Sequence, residues 1–99
     1  LGIDEITDFV PGQDFILLDK RTFTALMSDS GTGFSIETEF ETVTNSQDAT
    51  TANAFIVYDT EIGDLFYNPN GSEAGFGSGG QFAKLLNTVS LSEDDFVLR

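Results

Sequence analysis

Residues 54–86 carry the pattern that most restricts how this chain can fold. Positions 55–58 and 65–67 hold mostly β-branched and aromatic residues, which favour strands. Residues 60–63 lie between these runs and end in glycine, which suits a type I turn closed by a left-handed residue. The Asn-Pro-Asn-Gly sequence at 68–71 ends the second strand, because proline cannot donate to a strand ladder. The pattern therefore predicts an antiparallel β-hairpin, and the remaining strands are expected to cover its apolar face.

Shorter patterns predict the other strands. Residues 15–18 form a continuous apolar run, as a buried strand does. The periodicity of residues 3–9 fits either a helix or a strand, and Thr7 with the turn that follows favours a short strand. Residues 34–43 alternate between Phe, Ile or Thr on one side and mainly Glu on the other, which indicates a half-buried strand. Its exposed face is expected to carry Glu37, Glu39 and Glu41.

Helical structure is expected only as single turns, one of them at residues 22–27. Its inward-facing residues are expected to be Phe23, Leu26 and Met27. Residues 90–93 resemble a capping box, with serine followed three positions later by glutamate, and predict a turn that leads into a segment at 96–98. Residues 81–87 fit either a strand or a one-turn helix, and residues 45–53 are expected to form a polar loop.

These elements predict an all-β fold, an antiparallel sheet or small β-sandwich with one or two short helical turns. A chain of 99 residues is long enough for a single domain, 1–99, with one modest core. Aromatic residues supply most of that core, because the sequence contains ten Phe, two Tyr and no Trp. The residues expected to share it are Phe9, Ile16, Phe34 or Phe40, Phe66 and Phe82.

Carboxylates dominate the charge of this chain. Seventeen Asp and Glu residues face four Lys and Arg residues, which gives a net charge of −13. Nucleic acid and anionic membranes would be repelled, because binding them needs clustered basic residues, and no apolar run approaches the ~20 residues of a membrane span. Three interpretations fit the charge: a solubilising surface, adaptation to salt, or binding of a hard cation, chiefly Ca²⁺, through carboxylate oxygens.

The motifs of common catalytic sites are missing or incomplete. The sequence has no His and no Cys, which excludes the usual histidine chemistry and thiolate metal sites. Glu37 and Glu39 are two positions apart on the predicted wet face of one strand, which does not suit the flanking carboxylates of a glycosidase. The glycines within 75–80 are not followed by the Lys-Ser/Thr of a phosphate loop. We therefore expect a non-catalytic protein.

Two stretches resemble the non-repetitive C-terminal region of RTX proteins, the hemolysin-type calcium-binding family. Residues 4–16, DEITDFVPGQDFI, are similar to the segment that follows the last glycine-rich nonapeptide of those proteins. Residues 55–82 are similar to their terminal hairpin, with an apolar-Tyr-Asp strand, a glycine turn, an apolar-aromatic strand and an Asn-Gly loop. The nonapeptides themselves are absent from this sequence, and Phe15 stands where the family often has Lys.

The resemblance implies a role at the end of a longer chain. In the family, the nonapeptides wind a parallel β-roll that binds Ca²⁺ in its turns, and the segment seen here caps the roll. The family's tails also carry an uncleaved type I secretion signal, and residues 93–98, acids followed by apolar residues, are similar to such tails. We therefore expect a C-terminal fragment of a secreted protein, with an upstream glycine-rich repeat domain and the type I secretion machinery as partners.

Three aspartates are candidates for a Ca²⁺ site at the implied junction with the roll: Asp4, Asp8 and Asp14. Calcium needs several oxygen ligands, and residues at even spacing on a strand share a face, as Asp4 and Asp8 would. In the alternative interpretation, Asp8 and Asp14 brace the turn at 11–12 by accepting hydrogen bonds from backbone N–H groups.

Asn68, Asn70 and Glu73 are candidates for a second oxygen cage, completed by backbone carbonyls. The alternative is a turn with a glycine-rich extension, because the loop lacks the spacing and the closing glutamate of an EF-hand. Calcium is expected to bind weakly to this chain, because the repeats that would complete the sites are missing.

The sequence therefore predicts a non-catalytic capping and secretion module of a calcium-binding secreted protein. Repulsion among its acids would keep the chain loose where calcium is low, and external Ca²⁺ would order it by mass action. The alternative is an adhesion or carbohydrate-binding β-sandwich module, which a row of exposed aromatic residues around one loop would favour.

Overall fold

The computed structural model describes residues 3–71, 73, 75–77 and 79–99. Within these residues, eight strands and one single-turn α-helix are present. The strands are β1 (Asp4–Ile6), β2 (Ile16–Leu18), β3 (Gly31–Thr32), β4 (Phe40–Val43), β5 (Ile56–Asp59), β6 (Asp64–Tyr67), β7 (Gly80–Leu85) and β8 (Phe96–Leu98). The helix α1 spans Ser46–Ala49, and 3₁₀ turns at Glu37–Glu39 and Glu93–Asp95 precede β4 and β8. The predicted all-β class is confirmed.

The strands form two sheets, one in the order β1-β7-β6-β5-β4 and one in the order β2-β8-β3. The pairs β5–β6, β6–β7 and β3–β8 are antiparallel, whereas β1–β7, β4–β5 and β2–β8 are parallel. Both sheets are therefore mixed. The sequence predicts an antiparallel sheet or a small β-sandwich, and the two-sheet arrangement corresponds to the second. Parallel neighbours need a long connection, and the segment that contains α1 provides one between β4 and β5.

The predicted hairpin is confirmed as β5 and β6, with Ile56 opposite Tyr67 and Tyr58 opposite Leu65. Its turn closes through a hydrogen bond of 2.9 Å from the Gly63 N–H to the carbonyl oxygen of Asp59. Gly63 has a φ of +81°, and a Cβ at this position would lie 2.2 Å from the Leu85 carbonyl oxygen. Both the backbone conformation and the close approach of β7 therefore require glycine here.

Of the two alternatives for residues 81–87, the strand is correct. β7 carries a bulge, because Leu65 pairs with Ala83 while the next residue of β6, Phe66, pairs with Gln81. Phe82 is the extra residue, and its ring packs edge-on against Phe23 with a centroid distance of 4.9 Å. The bulge thus allows Phe82 to pack against the same core as Ala83.

The main core lies between the two sheets. Ile56, Leu65 and Leu85 of the larger sheet and Ile16 and Leu98 of the smaller one belong to a single buried cluster. Aromatic rings fill its centre, since Phe96 lies 5.4 Å from Phe34 and 4.9 Å from Phe40 between ring centroids. The predicted contributions of Phe9, Ile16, Phe34, Phe40 and Phe82 to this core are confirmed.

Phe66 is predicted to share this core, and that prediction is wrong. Side chains alternate along a strand, so Phe66 points to the opposite face of the larger sheet from Leu65 and Tyr67. There it joins a second cluster of buried residues and stacks on Phe76 with a centroid distance of 5.1 Å. The other members of this cluster are Val43, Ala49, Ala52, Ala54 and Val57. The segment around α1 therefore covers the outer face of β5 and β6.

The predicted strand at 34–43 is limited to β4, because residues 37–39 form a 3₁₀ turn. Glu37 and Glu41 are exposed as expected, but Glu39 is only 3% exposed. Its carboxylate accepts hydrogen bonds from the backbone N–H groups of Met27 and Ser28 at 2.8 and 3.0 Å. The exposed position predicted for Glu39 is wrong because those buried donors need an acceptor.

The predicted helical turn at 22–27 is a run of hydrogen-bonded turns, with the N–H groups of Thr22 and Phe23 donating to the Asp19 carbonyl. Phe23 and Leu26 are buried as expected, but Met27 is 70% exposed, so its inward orientation is wrong. The predicted turn before 96–98 is present, and its capping box lies two residues later than expected, between Ser92 and Asp95.

The predicted polar loop at 45–53 contains α1. The Asn45 side chain caps this helix by accepting a hydrogen bond from the Gln47 N–H at 2.8 Å. Ala49 and Ala52 are buried against the larger sheet. The small apolar residues of this segment therefore attach it to the domain.

Candidate functional site

The first two strands lie at the edges of different sheets. In the described residues, β1 pairs only with β7 and β2 pairs only with β8, and both pairs are parallel. Residues 4–18 therefore form one strand–turn–strand coil across one end of the sandwich, with a strand in each sheet. We call β1 and β2, with their unpaired sides, the open edge.

A cleft of about 360 Å³ lies between the two strands of the open edge. Asp4 and Ile6 of β1 line one side, and Ile16 and Leu17 of β2 line the other. The remaining lining residues are Phe15, Thr22, Phe23, Phe82 and Ala83. The cleft is thus a largely apolar opening into the space between the two sheets.

Large apolar side chains are exposed around the open edge. Ile3 and Leu17 are each 51% exposed, and Phe15 is 49% exposed. With Val10 they make four of the eight large apolar residues that are exposed in the described part of the chain. The sequence predicts Phe15 and Leu17 to be buried, and that prediction is wrong for them. Apolar residues gathered along an unpaired strand edge mark an interaction surface.

Hydrogen bonds hold the turn between β1 and β2. The Asp14 carboxylate accepts a hydrogen bond from the Val10 N–H at 2.8 Å, and the Asp14 N–H donates to the Val10 carbonyl, also at 2.8 Å. Two residues from later in the chain anchor the turn, because Asn87 donates to the Phe9 carbonyl at 3.0 Å and Asp95 accepts from the Gly12 N–H at 3.3 Å. The open edge is therefore preorganised.

Asp14 braces the turn at 11–12, as the alternative to calcium binding predicts. Asp4 and Asp8 are exposed, and the pairing of Asp4 with Ala83 places Asp4 on the cleft side of β1. Within the residues that the structure describes, no three acidic side chains are grouped so as to hold a metal ion. Calcium binding by Asp4, Asp8 and Asp14 stays a prediction that depends on oxygens from outside these residues.

Asn68 ties the end of the hairpin to the neighbouring loop. It is fully buried, and its amide group donates to the carbonyl oxygens of Ala52 and Gly71, each at 2.9 Å. Its Oδ1 has no donor among the described residues. Asn70 donates to the Gly75 carbonyl at 3.3 Å, and Glu73 is exposed. These amides stabilise the loop, and calcium binding by Asn68, Asn70 and Glu73 stays a prediction.

Buried carboxylates are a feature that the sequence patterns do not reveal. Besides Glu39, the structure buries Asp59, Asp64 and Asp95. Asp59 accepts from the Ser46 hydroxyl at 2.7 Å, and Asp64 accepts from the Lys84 ammonium at 3.1 Å. Each of these carboxylates has a donor, so they stabilise the fold. The one signal that could have indicated any of them is the Ser92–Asp95 spacing.

Comparison of the chain with protein-family models, curated protein sequences and solved structures found no match. None of the helices in the described residues combines the length and the apolar character needed to cross a bilayer. The proposed function is therefore based on the geometry of the open edge.

Proposed function

We propose that this chain is the non-catalytic C-terminal capping and secretion module of a larger, calcium-binding secreted protein of the RTX type. The observation that carries the proposal is the open edge, a coil with one strand in each sheet. Both strands run parallel to their neighbours.

A parallel β-roll grows by adding such coils, with one strand joining each sheet at every turn. The open edge offers the template for the preceding coil, because the backbone groups on its unpaired sides are available for pairing. An upstream glycine-rich repeat domain stacked there would also cover Ile3, Phe15 and Leu17. At the opposite end the larger sheet ends at β4, and α1 packs beside β4 and β5.

Calcium enters this proposal at the junction. Asp4 and Asp8 are exposed at or near the open edge, and the last coil of a roll would bring further oxygens beside them. The net charge of −13 opposes compaction, and bound cations relieve that repulsion. Calcium would therefore stabilise the cap and its junction with the roll together.

The secretion role is supported by the resemblance of residues 93–98 to the tails of the family. Residues 96–98 form β8, the central strand of the smaller sheet, and Phe96 and Leu98 are fully buried. A type I exporter that recognises residues 93–98 would have to meet the chain before it folds. Folding after export, driven by external calcium, would reconcile the signal with its burial, and the proposed location of the mature protein is outside the cell.

The carbohydrate-binding alternative has less support. Among the described residues, Phe15 is the one exposed aromatic side chain. The row of exposed aromatic residues that this alternative requires is therefore not present in the described part of the chain. The other large apolar side chain that is exposed in the same cleft is Leu17, which is aliphatic.

A fusion tests the capping role. A block of glycine-rich nonapeptides is joined upstream of this chain, and calcium-induced folding is followed by circular dichroism. We expect the block alone to stay unfolded and the fused block to fold cooperatively. Phe15→Gln with Leu17→Gln should raise the calcium midpoint several-fold, whereas Leu86→Gln, an exposed leucine elsewhere, should not. Equal folding with and without the chain would refute the capping role.

A further inference from the structure

Three of the four basic residues of this acidic chain lie in one place. Lys20, Arg21 and Arg99 line a groove of about 600 Å³ together with Asp19 and Ser30, and we call these five residues the basic groove. The parallel pairing of β2 with β8 creates it. The Arg99 N–H donates to the Leu18 carbonyl at 3.0 Å, and the Lys20 N–H donates to the Arg99 carbonyl at 2.7 Å.

The groove is positively charged because few of the chain's carboxylates lie near it. Arg21 is occupied by Asp19, whose two oxygens accept from its guanidinium at 3.1 and 2.8 Å. Among the described residues, Lys20 and Arg99 have no carboxylate oxygen within 4.0 Å. Three side-chain cations and one side-chain carboxylate give the groove a side-chain charge of +2, or +1 when the α-carboxylate of Arg99 is free, although the side chains of the whole chain sum to −13.

We propose that the basic groove binds a single phosphate-type oxyanion. The Arg99 guanidinium has the planar donor geometry that suits phosphate oxygens, and the Lys20 ammonium adds a compact positive charge. The exposed Ser30 hydroxyl is a neutral donor on the same groove. The inference is independent of the proposed function, because the groove lies after β2 and β8 and does not include the open edge.

The ligand must be compact because of the charge around it. The molecule measures 33 × 28 × 24 Å, and the Debye length at physiological salt is about 8 Å. A long polyanion bound at the groove would extend over carboxylates that repel it. A single oxyanion stays within the positive field of Lys20 and Arg99, and its affinity should fall as salt screens that field.

The probe is inorganic phosphate, titrated into the ¹⁵N-labelled 99-residue chain with KCl used to keep the ionic strength constant. We expect saturable shifts at the amides of Lys20, Arg21, Ser30 and Arg99. Because hydrogen bonds to charged groups are strong, Arg99→Gln and Lys20→Gln should each weaken phosphate binding by about tenfold. Two variants are used so that a folding defect in one leaves the other informative.

Lys84→Gln is the matched control, because Lys84 is the fourth basic residue and its ammonium contacts Asp64, outside the groove. It removes the same charge as Arg99→Gln, and its phosphate affinity should change less than about twofold. Equal weakening by Lys84→Gln and Arg99→Gln would overturn the proposal, since total charge would then explain the binding. Shifts that do not saturate, or that chloride reproduces, would also overturn it.

Discussion

The carboxylate of Glu39 accepts two hydrogen bonds from Ser28, one from its backbone N–H at 3.0 Å and one from its hydroxyl at 2.6 Å. The Ser28 hydroxyl in turn accepts a hydrogen bond from the Ile36 N–H at 3.1 Å. Glu39 stands directly before β4. This buried network therefore joins the loop at 27–28 to the start of the edge strand of the larger sheet.

Glu39→Gln should lower the free energy of unfolding by about 2 kcal/mol, because hydrogen bonds to a buried charged acceptor are lost or weakened. Glu37→Gln is the control, since Glu37 is exposed on the same 3₁₀ turn, and it should change stability by less than about 0.5 kcal/mol. Urea unfolding of both variants measures the difference. Equal stability of the two would contradict the structural role of Glu39.

Gly63→Ala should destabilise the hairpin by about 3 kcal/mol or more, because it combines an unfavourable positive φ with a clash against the Leu85 carbonyl oxygen. Gly12→Ala isolates the first of these effects, since Gly12 has a φ of +87° and a Cβ there would meet no atom of the described residues within 4 Å. That variant should cost about 1–2 kcal/mol. If thermal unfolding shows the same loss for both, β7 does not approach Gly63 closely enough to exclude a methyl group.

The hairpin was predictable because its signals are local. The glycine at the end of the turn and the Asn-Pro-Asn-Gly sequence define the ends of β5 and β6 within a short stretch of chain. The parallel pairs were not predictable in this way. Asp4 pairs with Ala83 and Ile16 pairs with Phe96, almost the full length of the chain apart, and no local turn encodes such contacts.

The alternation at 34–43 predicts an exposed Glu39, and this prediction fails for a physical reason. Period-two patterning assumes that every acid prefers water, but Glu39 is buried because loop N–H groups need its carboxylate. The candidate site shows the converse case. Phe15 and Leu17 look like core residues in the sequence and are exposed in the structure, because side chains alternate along a strand and Ile16 and Leu18 occupy the buried face of β2.

The ion pair of Asp19 and Arg21 gives a pH prediction. The hydrogen bond from the Arg21 side chain is the main reason that the pKa of Asp19 falls from 3.8 to about 2. Because the folded-state pKa is the lower one, the stability from this pair is present above the unfolded pKa and is lost as the pH falls from 3.8 towards 2. NMR titration of the Asp19 carboxyl carbon should show this pKa, and Arg21→Gln should raise it towards the ordinary value. An unchanged pKa in the variant would contradict the pairing.

Calcium should stabilise the chain more than magnesium does at equal ionic strength, because Ca²⁺ accepts irregular oxygen cages that Mg²⁺ rejects. The gain should stay below the ~2.7 kcal/mol that one complete site gives at 100 times its Kd. Thermal melts in matched CaCl₂ and MgCl₂ measure it, with Asp8→Asn expected to reduce the difference. Equal shifts by the two salts would mean that both merely screen an acidic surface, and calcium binding to this chain would be excluded.

The most direct test of the capping role is hydrogen exchange at the open edge. The exchange of the outward-pointing amides of β1 and β2 is compared in this chain alone and in the fusion with upstream nonapeptides, both in calcium. If a preceding coil pairs with both strands, those amides should exchange about 100-fold more slowly in the fusion, while the amides of β4, at the other edge of the larger sheet, should not change. Unchanged exchange at β1 and β2, or equal slowing at β4, would contradict the account.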